Sequence, residues 1–205
     1  MSDVLRGLFH QLQLSTLLQR RHYQRVPLLA LFSFINGCLS IGLMALAALV
    51  TGAPFVFPSL GPTAFLFFYT PTAPAASPRN TVLGHLTGAL AGWLSLVLFG
   101  LRDAGPALVV GVSLQRVLAA ALSLGLTSGI MVLLRAPHPP AGATTLIVSL
   151  GLMPEARQIG VLMLAVVLLT VQAFVINRLA GLPYPVWAPR SQPEAEPVRS
   201  VNQQV

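Results

Sequence analysis

Charge is what this sequence has least of. Only 8% of its 205 residues are Asp, Glu, Lys or Arg, against 55% apolar, whereas a soluble domain carries about a quarter charged residues. With a mean hydropathy of +0.77, that shortfall excludes an ordinary cytosolic enzyme and a disordered chain alike. Cysteine occurs once, as Cys38, which excludes a disulfide framework and a thiolate-clustered metal site. Lysine is absent. All twelve basic residues are Arg, scattered at the ends of apolar runs rather than collected on one stripe. The net charge of +7 therefore reads as membrane topology, not as a nucleic-acid footprint. Carboxylate pairs are missing too. Asp103 and Glu155 stand singly at span ends, and no H-E-x-x-H, phosphate-loop or Ser-His-Asp spacing occurs. We expect no enzyme, no cofactor and no resident metal, but an all-α integral membrane protein.

What is present is apolar sequence in runs. Residues 1–25 form an N-terminal amphipathic segment: Val4, Leu5, Leu8, Phe9 and Leu12 recur at helical spacing, and Arg20, Arg21 and Arg25 follow as an anchor. The run from Val26 to Val50 exceeds the roughly 7–15 residues of a signal-peptide core, so we read an uncleaved first span over 27–51, opened by Pro27. Further spans fall at about 81–101, 107–134 and 159–180. Residues 52–80 are apolar yet carry prolines at 54, 58, 62, 71, 74 and 78, and no continuous helix passes through them. The stretch 59–70 can form about three turns, roughly 18 Å, too short for a hydrocarbon core near 30 Å. A second broken apolar piece lies near 140–152. The tail 181–205, rich in Pro, Glu, Gln and Ser, reads as disordered.

An internal repeat organises these pieces. Pro58-Ser59-Leu60-Gly61-Pro62-Thr63-Ala64-Phe65 returns 81 residues later as Pro139-Pro140-Ala141-Gly142-Ala143-Thr144-Thr145-Leu146. The unit is span, broken half-helix, span, occurring over about 26–101 and 107–180 within a 26–180 transmembrane domain. Two arrangements fit. Re-entrant half-helices leave about four full spans, and eight Arg on the side of the termini face three opposite. Half-helices that cross make the repeats inverted, and the count becomes nine to two. We prefer the four-span form because the half-helices are short. Either count places the termini in the cytoplasm.

The broken segments are also where chemistry is possible. A helix start inside a membrane offers unpartnered N–H groups and the positive end of a dipole, and paired broken segments in two halves point to a transporter site. Ser59 is read as the cap of the first half-helix, and Pro140 suits the start of the second. Gly61 and Gly142 allow close backbone approach, while Thr63, Thr144 and Thr145 add hydroxyls. Arg116, near the middle of the third expected span, is the fixed positive charge, a costly residue that usually faces the interior. Bonding to loop carbonyls is its alternative. His138 stands at the mouth of the second half-helix, as an anion donor or as a cap against carbonyls. Arg79, Asn80 and His85 are possible cavity-lining residues, with His85 read first as a packed, hydrogen-bonded ring. The small-residue rows Gly84, Gly88, Gly92 and Ala121, Gly125, Gly129 are read as packing faces.

Ala136-Pro137-His138-Pro139-Pro140-Ala141-Gly142-Ala143-Thr144 resembles the signature of the HPP family of integral membrane proteins. Residues 57–65 (FPSLGPTAF) and 77–86 (SPRNTVLGHL) look like that family's other recurrent segments. The resemblance covers roughly 25–180. It implies four transmembrane helices and, by analogy with plastid and cyanobacterial members, transport of nitrite. We therefore expect a transporter or channel for a small inorganic anion, plausibly nitrite, in a bacterial inner membrane. Four spans shield two half-helices poorly, so a homo-oligomer is expected. A non-transporting scaffold or sensor subunit is the alternative. Nucleic acid is not an expected partner; the lipid bilayer is.

Overall fold

The computed structural model describes residues 22–189, and these form helices without strands. The amphipathic segment ahead of His22 and the tail beyond Pro189 lie outside the described residues. Four helices are long and apolar enough to span a membrane: α1 (His22–Thr51), α3 (Pro78–Leu98), α5 (Leu114–Leu133) and α7 (Ala156–Leu179). Two ten-residue helices, α2 (Leu60–Tyr69) and α6 (Pro140–Ser149), occupy the broken segments. A single turn, α4 (Ala107–Val110), precedes α5. Local chemistry sets several starts. Ser77 accepts from Asn80 N ahead of Pro78 at the head of α3, and Glu155 with Gln158 forms a reciprocal capping box on α7.

The contacts fix the direction of each element. We call the end of the bundle where α1 begins proximal and the opposite end distal. The end of α1 meets the start of α7, where Gly52, Ala53 and Pro54 share a cleft with Glu155, Arg157 and Gln158. The end of α2 returns to the proximal end: Ser33 of α1 donates to Phe68 O (3.3 Å) and Asn177 of α7 to Phe67 O (3.0 Å). Residues 52–69 thus travel from the distal to the proximal end as an extended arm and a half-helix. In the second half, Arg79 at the head of α3 donates to Leu134 O (2.9 Å) past the end of α5. The end of α6 lies at the distal end, where Ser149 O accepts from Arg116 Nη1 (3.1 Å). The four long spans and two half-helices are those expected. The broken segments, however, continue across the bundle instead of returning to the side they entered. The two halves run in opposite senses, as an inverted repeat does.

Two further expectations change. The third span does not run unbroken over 107–134. Gly111 adopts φ +85°, and Ser113 then caps a new helix by accepting from Arg116 N (3.3 Å). Arg116 therefore falls in the first turn of α5, not at mid-membrane. The start of the tail is also ordered. Tyr184 is fully buried and donates to Ala76 O (2.6 Å), and Trp187 O accepts from Arg79 N (3.0 Å). Burial pushes the Tyr184 phenol up, so it keeps the proton that this bond needs.

One row of glycines does the seating expected of it. A Cβ on Gly84 would sit 2.7 Å from His138 Cβ, on Gly88 2.6 Å from Ala141 O, and on Gly92 2.8 Å from Thr145 O. Three successive turns of α3 thus lie directly against His138 and α6, with no side chain of their own in between. The other row meets nothing among the described residues: at Gly125 and Gly129 such a Cβ would have none of their atoms within 4 Å.

Candidate functional site at the meeting of two half-helices

The half-helices are antiparallel and their N-terminal turns meet inside the bundle. Thr63 arrives from the first turn of α2, Thr144 from the first turn of α6, His138 from just before α6, and Thr81 and His85 from α3. All five are fully buried. Thr63 Oγ1 lies 2.9 Å from His85 Nε2 and 3.3 Å from His138 Nε2, and the two Nε2 atoms are 3.2 Å apart. On the outer sides of the rings, His85 Nδ1 is 2.7 Å from Thr144 Oγ1, and His138 Nδ1 is 2.7 Å from Ala75 O. Thr81 Oγ1 stands 3.4 Å from that last nitrogen.

These distances assign protons. A carbonyl only accepts, so His138 carries its hydrogen on Nδ1 and directs it to Ala75 O. A neutral ring then has a bare Nε2. The facing His85 Nε2 must carry a hydrogen, since otherwise two lone pairs would oppose each other at 3.2 Å. His85 Nδ1 is consequently an acceptor for the Thr144 hydroxyl. Thr63 accepts from His85 and has two places for its own hydrogen, His138 Nε2 or Ser59 O at 2.9 Å. Every buried ring nitrogen has a partner with both imidazoles neutral, as buried polar groups require.

Several predicted site residues are elsewhere. Arg116 is 2% exposed, but its guanidinium donates to Ser149 O and to Gly105 O (3.0 Å). It sits at the C-terminal end of α6, the opposite end from His138, where a cation complements the helix dipole. The alternative reading, bonding to loop carbonyls, is the observed one. Gly61 is exposed with open space around it, and Gly142 meets only Leu124 Cδ1 at an ordinary 3.6 Å; neither lies against the histidines. Ser59 does not cap α2: its backbone is already helical and its buried hydroxyl has no partner. Thr145 Oγ1 is likewise buried and unpartnered. Arg79 donates to Asn80 Oδ1, Leu134 O and Arg135 O, and Asn80 donates to Pro74 O; both tie the proximal loops together. The half-helix N–H groups are also less free than expected. Pro139 and Pro140 have none, while Ala141 N and Gly142 N donate to His138 O and Pro139 O. Imidazole and hydroxyl groups, not backbone amides, supply the polar surface.

Thr81 was not among the sequence candidates, although it precedes His85 by four residues and so shares its helical face. The carbonyl of Ala75 carries no signal in side-chain chemistry. Beside the cluster lies a cavity of about 360 Å³ lined by Ser128, Met131, Val132, Arg135, Pro137 and His138. It brings one cationic side chain, that of Arg135, to the approach to His138.

The family profile described as HPP, transmembrane region, matches residues 23–185, a span that contains the whole cluster. The chain belongs to the HPP family. Within this HPP-family protein the motif divides its labour: His138 supplies the ring, and Pro139 and Pro140 start α6 while leaving it two amides short. A transmembrane protein of Dictyostelium discoideum is 36% identical over 93 residues, which are 45% of this chain and 27% of that protein. The HPP-family chain described here thus covers only about a quarter of that relative. No solved structure matches the chain.

Proposed function

We propose that this HPP-family protein carries a small inorganic anion, plausibly nitrite, across a bacterial inner membrane and has no enzymatic activity. The observation that supports this reading is the convergence of two antiparallel half-helix N-termini on buried histidine and threonine side chains. Each helix start contributes the equivalent of about half a positive charge, and broken helices meeting at mid-bundle are the usual ground plan of a secondary transporter site. The polar atoms not used in the cluster, the hydroxyls of Ser59 and Thr145, belong one to each half-helix. Arg135 takes the attracting role first assigned to Arg116, from the cavity beside His138.

Crossing half-helices make the nine-to-two Arg count the relevant one, and that count supports cytoplasmic termini. The cavity of Arg135 then opens toward the cytoplasm. The reading includes a homo-oligomer, supported by the outward Phe65 and Tyr69 of α2, 56% and 49% exposed, and by the glycines of α5 that meet nothing among the described residues. The scaffold or sensor reading draws on one observation, that the rings of His85 and His138 touch, with centroids 4.8 Å apart, and leave no room between them. On the transport reading this is an occluded state that must open.

Uptake of nitrite by the purified full-length chain in liposomes is the test. Protein-dependent uptake that saturates with nitrite and survives subtraction of protein-free vesicles is expected. A monodisperse, reconstituted protein that moves neither nitrite, nitrate, formate nor chloride would favour the scaffold.

A further inference from the structure

We infer that the histidine pair binds one proton together with each anion, so that the chain works as an electroneutral proton–anion symporter. This rests on the anion reading above and adds the coupling ion to it. Of the two bare ring nitrogens in the cluster, His85 Nδ1 accepts from the Thr144 hydroxyl at 2.7 Å, and His138 Nε2 is the one that faces the other ring. Its neighbours are His85 Nε2 at 3.2 Å and Thr63 Oγ1 at 3.3 Å. In the neutral cluster two places are open to the Thr63 hydrogen, one being Ser59 O and the other this nitrogen. If a proton arrives there, Thr63 turns its hydrogen to Ser59 O, already 2.9 Å away. Its oxygen, which has two lone pairs, then accepts from both Nε2–H groups. The one added proton is therefore accommodated by rotation of one hydroxyl, with no ring required to move.

The added charge has no protein partner. The groups that face the pair are Ser59 and Thr63 from α2, Ala75 O from the turn before α3, Thr81 from α3, Thr144 from α6 and, across the cavity, Arg135 after α5. None is an anion. Arg79 lies at the same end and bonds carbonyls. Among the described residues the acids are Asp103 and Glu155, both in turns at the distal end. A buried cation without a counter-charge is strongly disfavoured. An anion alone at the rings, with Arg135 only across the cavity and otherwise dipoles and neutral donors around it, meets a penalty of opposite sign. Bound together they cancel. Each ligand thus raises the affinity for the other, which is the reciprocity that linkage demands and the condition for coupled movement. The proton is taken up from water as the anion binds, forming an N–H bond at His138 Nε2, and that bond breaks when proton and anion leave on the other side.

The measurement is initial nitrite uptake into proteoliposomes of the full chain, with a pH dye in the lumen and protein-free vesicles subtracted. An acid-outside gradient, with the membrane potential clamped at zero, should drive accumulation of about tenfold per pH unit, the free energy carried by one proton. Luminal acidification should match nitrite entry one to one, and a potential imposed without a pH gradient should change nothing. His138→Gln should abolish the response to the gradient. Thr63→Val should shift the pH profile of uptake, and Thr63→Ser should restore it, an outcome that a purely packing role for Thr63 does not produce. Nitrite entry that follows the imposed potential and brings no proton would overturn the coupling while leaving anion transport standing. Absence of any protein-dependent anion flux would overturn both.

Discussion

The two half-helices carry the same motif but live in different surroundings. α6 is pressed onto α3 along three glycines, and a Cβ at any of them would run into α6 or into His138. α2 is seated by side chains instead: Leu60, Ala64, Phe67 and Phe68 are buried, and Phe68 O and Phe67 O accept from Ser33 and Asn177. Gly61, Pro62, Phe65 and Tyr69 look outward, and only the hydroxyl of Thr63 reaches the cluster. The repeated motif is therefore held by backbone contact at glycines in one half and by side-chain packing in the other. Inverted-repeat transporters work by moving one repeat against the other around a fixed site. Under the proposed transport function, α2 is the half that would withdraw Thr63 and open the histidine pair, because its contact with the rings is one hydroxyl.

The comparison is broken most severely at Gly88. Replacement by Leu puts a side chain where Ala141 O is only 2.6 Å from the first added carbon, and backbone cannot yield as a side chain can. Gly88→Leu should abolish the monodisperse peak on size-exclusion chromatography in detergent. Even Gly88→Ala should cost about 1–3 kcal/mol, the range for overpacking, read as a lowered thermal midpoint. A wild-type midpoint for Gly88→Ala would mean that α6 is not seated on α3.

A smaller effect is expected at Arg116. Arg116→Gln removes the donors of Ser149 O and Gly105 O, and leaving buried acceptors unmet costs about 1–3 kcal/mol. The midpoint should fall while uptake per folded protein stays within about twofold of wild type, because a change of a few tenths of a kcal/mol at a remote site is all that distant residues share. Loss of uptake without loss of stability would return Arg116 to the site.

The smallest effects sharpen the contrast. Gly61→Ala and Gly125→Ala place a methyl group in open space. Both are helical positions, so each change should be neutral or stabilising by up to about 1 kcal/mol. If Gly125→Ala instead splits an oligomer on chromatography, the second glycine row packs between chains.

Much of this arrangement was legible in the sequence. Composition, the four long runs and the 81-residue offset placed every element but the start of the third span to within a few residues, because hydropathy and proline punctuation are local properties. The resemblance to the HPP family pointed to His138 and its half-helix. The errors were of a different kind. Reading 107–134 as one span overlooked Gly111-Val112-Ser113, a break and a cap in three residues, and so put Arg116 at the wrong depth. The direction of the half-helices was not legible, since a ten-residue helix can return or continue depending on the extended arm beside it. The pairing of His85 with His138 joins positions 53 residues apart, and only the glycine row between their helices hinted at it. Arg116 followed the rule that a buried Arg has a partner; the partners were carbonyls, which no residue-type pattern reveals.

Placement of the site at the histidine pair is tested most directly by nitrite uptake of His138→Gln and Arg116→Gln measured side by side in proteoliposomes, at matched amounts of monodisperse protein. His138→Gln should fall at least about tenfold, as removal of a buried ring bonded on both sides implies, and Arg116→Gln should stay close to wild type. The reverse order, with His138→Gln at the wild-type rate and Arg116→Gln inactive, would contradict it.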